Sequence, residues 1–275
     1  IFEFIRAAKR VLSGVKVALT TNGTLLRTWR VVRAIEAGLD YLEVSFDGTT
    51  GTRSYRGTDP GYITSGLRAI QKARTLSGGR LDVAIATVVG RGNIDDLPDI
   101  LDTAHTFGVD EVRLQPMQIY FPAMAGENIY TDKGSVERAI AGMMARGREM
   151  GIKVWLRRST LPMDERNQSP RTYLSNYHPE VTCVDPFVRL YVTLTGEVLM
   201  CCGGLDSGMN VNSIPFIDIW NSPRYRELRA NLIKGTYHAL ARTCSKCPQI
   251  HGGKETLESF IVPCKGGKEI GNNPG

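Results

Sequence analysis

No cysteine occurs in the first 182 of the chain's 275 residues. No apolar run approaches the eighteen or more residues that a membrane-spanning helix needs. Basic residues never gather. Lys and Arg number 34 against 28 Asp and Glu, a formal charge of +6, yet no block of five or six cations appears. That scatter argues against a nucleic-acid module and for an ordinary, mildly basic enzyme surface. Only four histidines are present, His105, His178, His238 and His251, and none stands at metal-ligand spacing from another. The opening "IFEFIRAAKR" is amphipathic and has no cleavage site, so it is not a secretory signal, and its first residue is Ile rather than Met. Low-complexity tracts are absent, as are repeats beyond a β/α unit.

What is there begins with an alternation of strand-like and helix-like segments over roughly the first 120 residues. "VKVALTT" ends in the turn pair Asn22-Gly23, and "LLRTWRVVRAIEAG" follows at helical spacing and closes on Gly38. "YLEVSFDG", "LDVAIATVVG" and "EVRLQPMQIY" read as further strands, separated by the helices "ITSGLRAIQKAR" and "IDDLPDILDTAHTFG". A helix near 136–150 and the strand "IKVWLR" complete the series. The pattern predicts right-handed crossovers and a parallel sheet.

Side-chain parity says more than the strands' existence. Leu42, Val44 and Phe46 alternate with Glu43, Ser45 and Asp47. Val112 and Leu114 oppose Arg113, Gln115 and Met117, and Val17 and Leu19 oppose Lys16, Thr20 and Asn22. A doubly covered parallel sheet is apolar on both faces. Three strands with one polar face each predict a barrel whose lumen holds a ligand at the C-terminal strand ends, near Asn22, Ser45, Asp47 and Met117. The bland alternative is a filled barrel whose polar residues bond to one another.

All six cysteines, Cys183, Cys201, Cys202, Cys244, Cys247 and Cys264, fall in the last third. A disulfide framework suits small secreted domains, and neither property is evident here. A reducing, cytoplasmic setting with a metal or cluster is expected instead. Gly196 is expected to supply the positive φ of a tight turn between the strands "FVRLYVTL" and "EVLMC". Through that hairpin, and a fold-back at Asp185-Pro186, Cys183 would meet Cys201. "CSKC" adds Cys244 and Cys247. Four thiolates suit a [4Fe–4S] cluster and tetrahedral zinc alike. "GRGN" at Gly90–Asn93 lacks the helix-opening context of a phosphate loop. No paired carboxylates or nucleophile–His pair supports a hydrolase barrel.

The segments "LTTNGTLL", "LDYLEVSFDG", "RGTDPGYITSGLRAIQKA" and "VVGRGN", in this order, resemble the radical S-adenosylmethionine (SAM) barrel. The cysteine region resembles the SPASM domain, which carries auxiliary iron–sulfur clusters; "GMNVNSIPFIDIWNSPRYRELRANL" is similar to its glycine–asparagine turn and following helix. The resemblance implies a partial (β/α)6 TIM-like barrel over residues 1–160 with strands three to six present, a linker over 161–182 and a small α+β iron–sulfur domain over 183–275. It further implies that Ser45, Asp47, Arg56 and Met117 border SAM, while Thr20, Thr21 and Asn22 lie on the substrate side. Cys183, Cys201, Cys244 and Cys247 would hold an auxiliary [4Fe–4S] cluster, with Cys202 a spare neighbour or substitute and Cys264 a candidate ligand of a second cluster. The GTP-cyclising branch is disfavoured because Ala84 stands near the place of its lysine.

The family's CxxxCxxC, which binds the SAM-cleaving cluster, does not occur in these residues. "FEFIRAAKRVL" resembles the second barrel helix, so roughly a hundred further residues are expected before it by ordinary β/α unit sizes. The implied enzyme makes a 5′-deoxyadenosyl radical that abstracts hydrogen from a peptide or small-molecule substrate, with a flavodoxin or ferredoxin as electron donor. The chain alone would be inactive. A zinc-stabilised scaffold or binding protein is the competing expectation.

Overall fold

A computed structural model describes residues 1–78, 80–117, 126, 127, 129, 133–156, 183 and 185–236. The chain divides into two compact units, Ile1–Arg158 and Ser159–Gly275. The expected linker, residues 161–182, lies outside the described residues.

In the first unit helices and strands alternate: α1 (Phe2–Val11), β1 (Ala18–Thr21), α2 (Thr28–Ala37), β2 (Tyr41–Ser45), α3 (Gly48–Arg56), α4 (Pro60–Leu76) and β3 (Asp82–Val89). A 3-10 turn at Arg91–Asp96 leads into α5 (Leu97–Thr106), then β4 (Glu111–Pro116), α6 (Lys133–Glu149) and β5 (Lys153–Leu156). The five strands form one parallel sheet in sequence order, β1-β2-β3-β4-β5, as right-handed crossovers on one side dictate. The family resemblance accounted for four of them; Lys153–Leu156 pairs with β4 and adds a fifth.

One sheet face is a continuous apolar floor. Leu42 and Val44, Val83 and Ile85, and Val112 and Leu114 are all buried, as are Ile63, Leu67 and Ile70 of α4 and Ile100 and Leu101 of α5. The alternate residues of β2 and β4 are only partly covered. A helix's one apolar stripe can seal one face of a sheet and no more, so the other face is available for polar groups.

The ends of the units repeat a short pattern, "GLD", "GVD" and "GIK". Gly38, Gly108 and Gly151 take positive φ at helix C-termini (104°, 65° and 71°), a conformation nearly free for glycine. The next residue, Leu39, Val109 or Ile152, is buried and bonds back to the carbonyl of Ala34, Ala104 or Gly147. In the first two copies an aspartate follows and reaches sideways. Asp40 Oδ2 accepts the Val17 N–H at 2.7 Å and pairs with Lys9 at 2.6 Å; Asp110 Oδ2 accepts the Val83 N–H at 2.7 Å, while its Oδ1 pairs with Arg74 at 3.0 Å.

Partial burial opposes ionisation of Asp40, but the hydrogen bonds from Lys9 and Val17 outweigh it and hold its carboxyl below the ordinary 3.8. A carboxyl lowered on folding stabilises the folded state above its unfolded value and loses that contribution as pH falls through the folded one. Asp40→Asn is therefore expected to be less stable than the parent near neutrality. The gap should close as pH drops below about 3.8. Urea unfolding at several pH values reads this directly, and a gap that widens in acid would refute it.

The second unit comprises α7 (Asp185–Val188), β6 (Tyr191–Val192), β7 (Glu197–Leu199), β8 (Asp206–Asn210), α8 (Phe216–Trp220) and α9 (Pro223–Ile233). Its three strands form an antiparallel sheet in the order β6-β7-β8. Its core is small: Val198, Met200, Ile219, Tyr225, Leu228 and Leu232, with Cys183, Phe187 and Trp220 packed at the margin. The run "FVRLYVTL" does not form one strand. Asp185-Pro186 opens a helical turn, Pro186 with its preset φ inside the first turn, so Phe187 and Val188 are helical and the strand shrinks to Tyr191–Val192.

Candidate cluster and ligand sites

The polar face of the first sheet carries a connected network. Register sets Glu43, Ala84 and Glu111 side by side, and Ser45, Ala86, Arg113 and Trp155 one step higher. The two alanines leave room for long side chains to meet across β3. Arg113 Nη1 donates to Glu43 at 3.4 Å, and its Nε and Nη2 donate to Glu111 at 2.8 and 2.7 Å. Glu111 also accepts from the Tyr41 hydroxyl at 2.5 Å and the Trp155 indole at 2.8 Å, and Thr20 donates to Glu43 at 3.2 Å. Burial, and then Glu111 beside it, pushes the Tyr41 phenol far up, so it stays a proton donor. Two carboxylates share one guanidinium, leaving net negative charge on this face. Polar groups here do bond to one another, but the Ser45 hydroxyl, one step nearer the C-terminal strand ends, has no partner among the described residues.

At those ends Asp47 is a structural centre. Only 1% exposed, it takes Arg56 Nε on Oδ2 at 2.5 Å, and Arg56 Nη2 and the Val88 N–H on Oδ1 at 3.0 and 2.8 Å. Its acceptor sites are thus committed within the protein. Asn93 ties the same region together, donating to the carbonyls of Asp47 and Val88 and accepting the Gly90 N–H. Nothing in "GRGN" marks it as this staple. Asp96 caps α3 by accepting the Thr50 N–H at 2.6 Å. Glu127 accepts the Tyr55 hydroxyl at 2.5 Å and the Gly92 N–H at 3.0 Å, beside Gly90. Met117 is half-buried, its N–H bonded to the Val89 carbonyl and its methyl next to Gly90. Thr21 and Asn22 spend their side-chain oxygens on the turn after β1, accepting from Gly23 and Thr24.

In the second unit Asp185 joins the two ends of the cysteine hairpin. Its Oδ2 accepts the Cys202 N–H and the Tyr191 hydroxyl, each at 3.2 Å, while Oδ1 pairs with Arg189 at 3.1 Å. Desolvation and then the Asp185 carboxylate push the Cys202 thiol up to about 12, with smaller pushes from the charges of Cys201 and Cys183. Cys202 is thereby held as a protonated donor to Asp185. Gly196 takes the expected positive φ (87°), and a side chain there would collide with the amides of Asn210 and Asn212.

Among the described residues no three His, Cys, Asp or Glu are arranged to hold a metal ion. Cys244, Cys247 and Cys264 lie outside the described residues. The chemistry of what is described fits an iron–sulfur group. One soft thiol, that of Cys183, adjoins a core where the Tyr225 hydroxyl and Arg229 Nη2, both buried, have no hydrogen-bond acceptor among the described residues.

Residues 183–248 match the family model of SPASM, an iron–sulfur cluster-binding domain. A PqqA peptide cyclase of Gluconobacter oxydans is 22% identical over 247 residues, 89% of this chain and 64% of its own length. Streptococcus suis SuiB superposes with a TM-score of 0.60 when bound to S-adenosylmethionine, at 13% identity, over 83% of this chain and 53% of SuiB. Its complex with the precursor peptide SuiA gives 0.58 over 84% and 53%. In its cysteine region and its fold the chain is similar to radical SAM/SPASM proteins. It spans less than two thirds of the length of the curated relatives it matches. The SPASM match falls within the second unit. Among the described residues no helix is long and apolar enough to cross a membrane.

Proposed function

We propose that this chain supplies the barrel wall and the auxiliary-cluster domain of an enzyme that modifies a peptide by hydrogen-atom abstraction. What carries the reading is the hydrogen bond from the Cys202 N–H, next to Cys201, to Asp185, two residues from Cys183, inside the SPASM match. PqqA peptide cyclase and SuiB with its precursor peptide support a peptide as substrate.

When bound, SAM and its cluster supply hydrogen-atom abstraction, and the SPASM cluster supplies an electron-accepting centre. Cys183 and Cys201, with Cys244 and Cys247, would hold the latter. Ser45 offers its free hydroxyl to SAM, and Arg56 offers Nη1, the nitrogen that Asp47 leaves unengaged. Met117 lends apolar surface beside Gly90. The negative face built by Glu43 and Glu111 favours a cationic or proton-donating substrate group, and Thr20 lies at its edge. Half-buried Tyr41 and Trp155, both bonded to Glu111, keep that face fixed. A flavodoxin or ferredoxin would deliver electrons in a cytoplasmic setting. The reading assigns SAM cleavage to a CxxxCxxC that these 275 residues do not contain.

The test is anaerobic reconstitution with iron and sulfide. A brown protein with about four irons per chain is expected for one [4Fe–4S] centre. With dithionite and SAM, 5′-deoxyadenosine should stay at the no-protein blank until a CxxxCxxC-bearing segment is supplied. Stoichiometric zinc in a colourless protein, or turnover by the chain alone, would overturn the proposal.

A further inference from the structure

Two proton donors in the core of the second unit have no acceptor among the described residues. Tyr225 is 0% exposed, and neither its hydroxyl nor Arg229 Nη2 has a partner among the described residues. The rest of Arg229 is fully engaged. Nε donates to the Pro186 carbonyl and Nη1 to that of Trp220, both at 2.8 Å, and the guanidinium lies over the rings of Trp220 and Tyr225 at 4.3 and 4.9 Å. A side chain gripped so closely has little freedom to turn its last nitrogen elsewhere. Burying two adjacent donors unpaired carries a desolvation penalty that a native core normally avoids.

Their position narrows what the acceptor is. Arg229 hangs beneath the α7 turn that begins two residues after Cys183. Cys183 packs against the same core as Tyr225. The donors thus stand in the core that Cys183 borders. A cluster presents thiolate and sulfide sulfurs, which accept hydrogen bonds and become more basic when an electron is added.

We propose that the Tyr225 hydroxyl and the Arg229 guanidinium are outer-shell donors to the sulfurs of the cluster held by Cys183 and Cys201, and that they raise its reduction potential. The inference rests on the proposed reading of those cysteines as cluster ligands. Neither side chain binds iron. Each stabilises the reduced, more negative cluster more than the oxidised one, and the arginine adds a full positive charge to the effect of its hydrogen bond.

The experiment compares the full chain, reconstituted anaerobically, with Tyr225→Phe and Arg229→Lys, using redox titration followed by electron paramagnetic resonance and the rate of iron loss to a chelator. Tyr225→Phe removes one oxygen and keeps the ring. It should shift the reduction equilibrium about tenfold toward the oxidised cluster, about 59 mV for one electron, and speed iron loss several-fold. Arg229→Lys keeps the charge and loses the planar fork, so a smaller shift in the same direction is expected. If the hydroxyl is only a structural orphan, Tyr225→Phe will leave the potential unchanged and make the iron-free protein more stable. That result would overturn the inference while leaving the cluster intact. A parent chain that takes up no cluster would instead overturn the functional reading beneath it.

Discussion

Chains carrying Cys183→Ala or Cys201→Ala are expected to emerge from anaerobic reconstitution with most of their iron gone and their last third loosened. Metal binding in small cysteine domains is coupled to folding, with apparent contributions of about 10–16 kcal/mol for zinc-finger peptides. The second unit has little to set against such a loss. Its described core is six buried side chains, its strand β6 is two residues long, and a unit of that size depends on a staple. Cys202→Ala is the control. Its thiol is kept protonated against Asp185, so iron content should stay near that of the parent. Iron analysis with limited proteolysis measures both. A Cys201→Ala chain with full iron and unchanged resistance would show that the hairpin thiols are not ligands.

Asp47→Ala should cost the first unit about 3 kcal/mol. Removing one partner of a buried ion pair leaves the other uncompensated, and fully buried cases cost about 3–5 kcal/mol. Arg56 keeps 27% of its side chain exposed, which puts the expectation at the low end. The change also orphans the Val88 N–H and frees the arginine that the proposed SAM site needs fixed. Denaturant unfolding should show the full effect, and Asp47→Asn about half of it, because the amide oxygen still accepts from Val88. A loss below about 1 kcal/mol would mean that the pair is not held as described.

The sheet and its polar face were legible because both depend on periodicity. Glu43 and Arg113 were placed on one face by counting along two separate strands, and their hydrogen bond across Ala84 is the structural counterpart. The network that joins them to Glu111, Tyr41 and Trp155 was not legible. It depends on register between strands, and on alanines small enough to be bridged, neither of which a single strand reveals. Asn93 was hidden for a similar reason. Its partners Asp47 and Val88 belong to two strand ends that meet only in the folded sheet. In "DPFVRLYVTL" the apolar alternation was misleading, because Asp185 and Pro186 decide the backbone of the next two residues locally. Asp185 itself escaped notice as the link between Cys183 and Cys202, since carboxylate-to-backbone bonds leave no mark in spacing.

The glycine–apolar–aspartate endings also bear on how fast and in what order the chain folds. Asp40 closes on Val17 across 23 residues and Asp110 on Val83 across 27. Loop-closure entropy rises only with the logarithm of length, so either closure is cheap compared with bringing distant strands together. Each clasp defines a helix and two neighbouring strands that can collapse without waiting for the rest of the sheet, which lowers the effective contact order of an otherwise slow parallel topology. The third ending has Lys153 in place of an aspartate and makes no such closure to β4 through its side chain among the described residues. Strand β5 should then join last, and amide protons along Lys153–Leu156 should exchange with solvent sooner than those of β2 and β3.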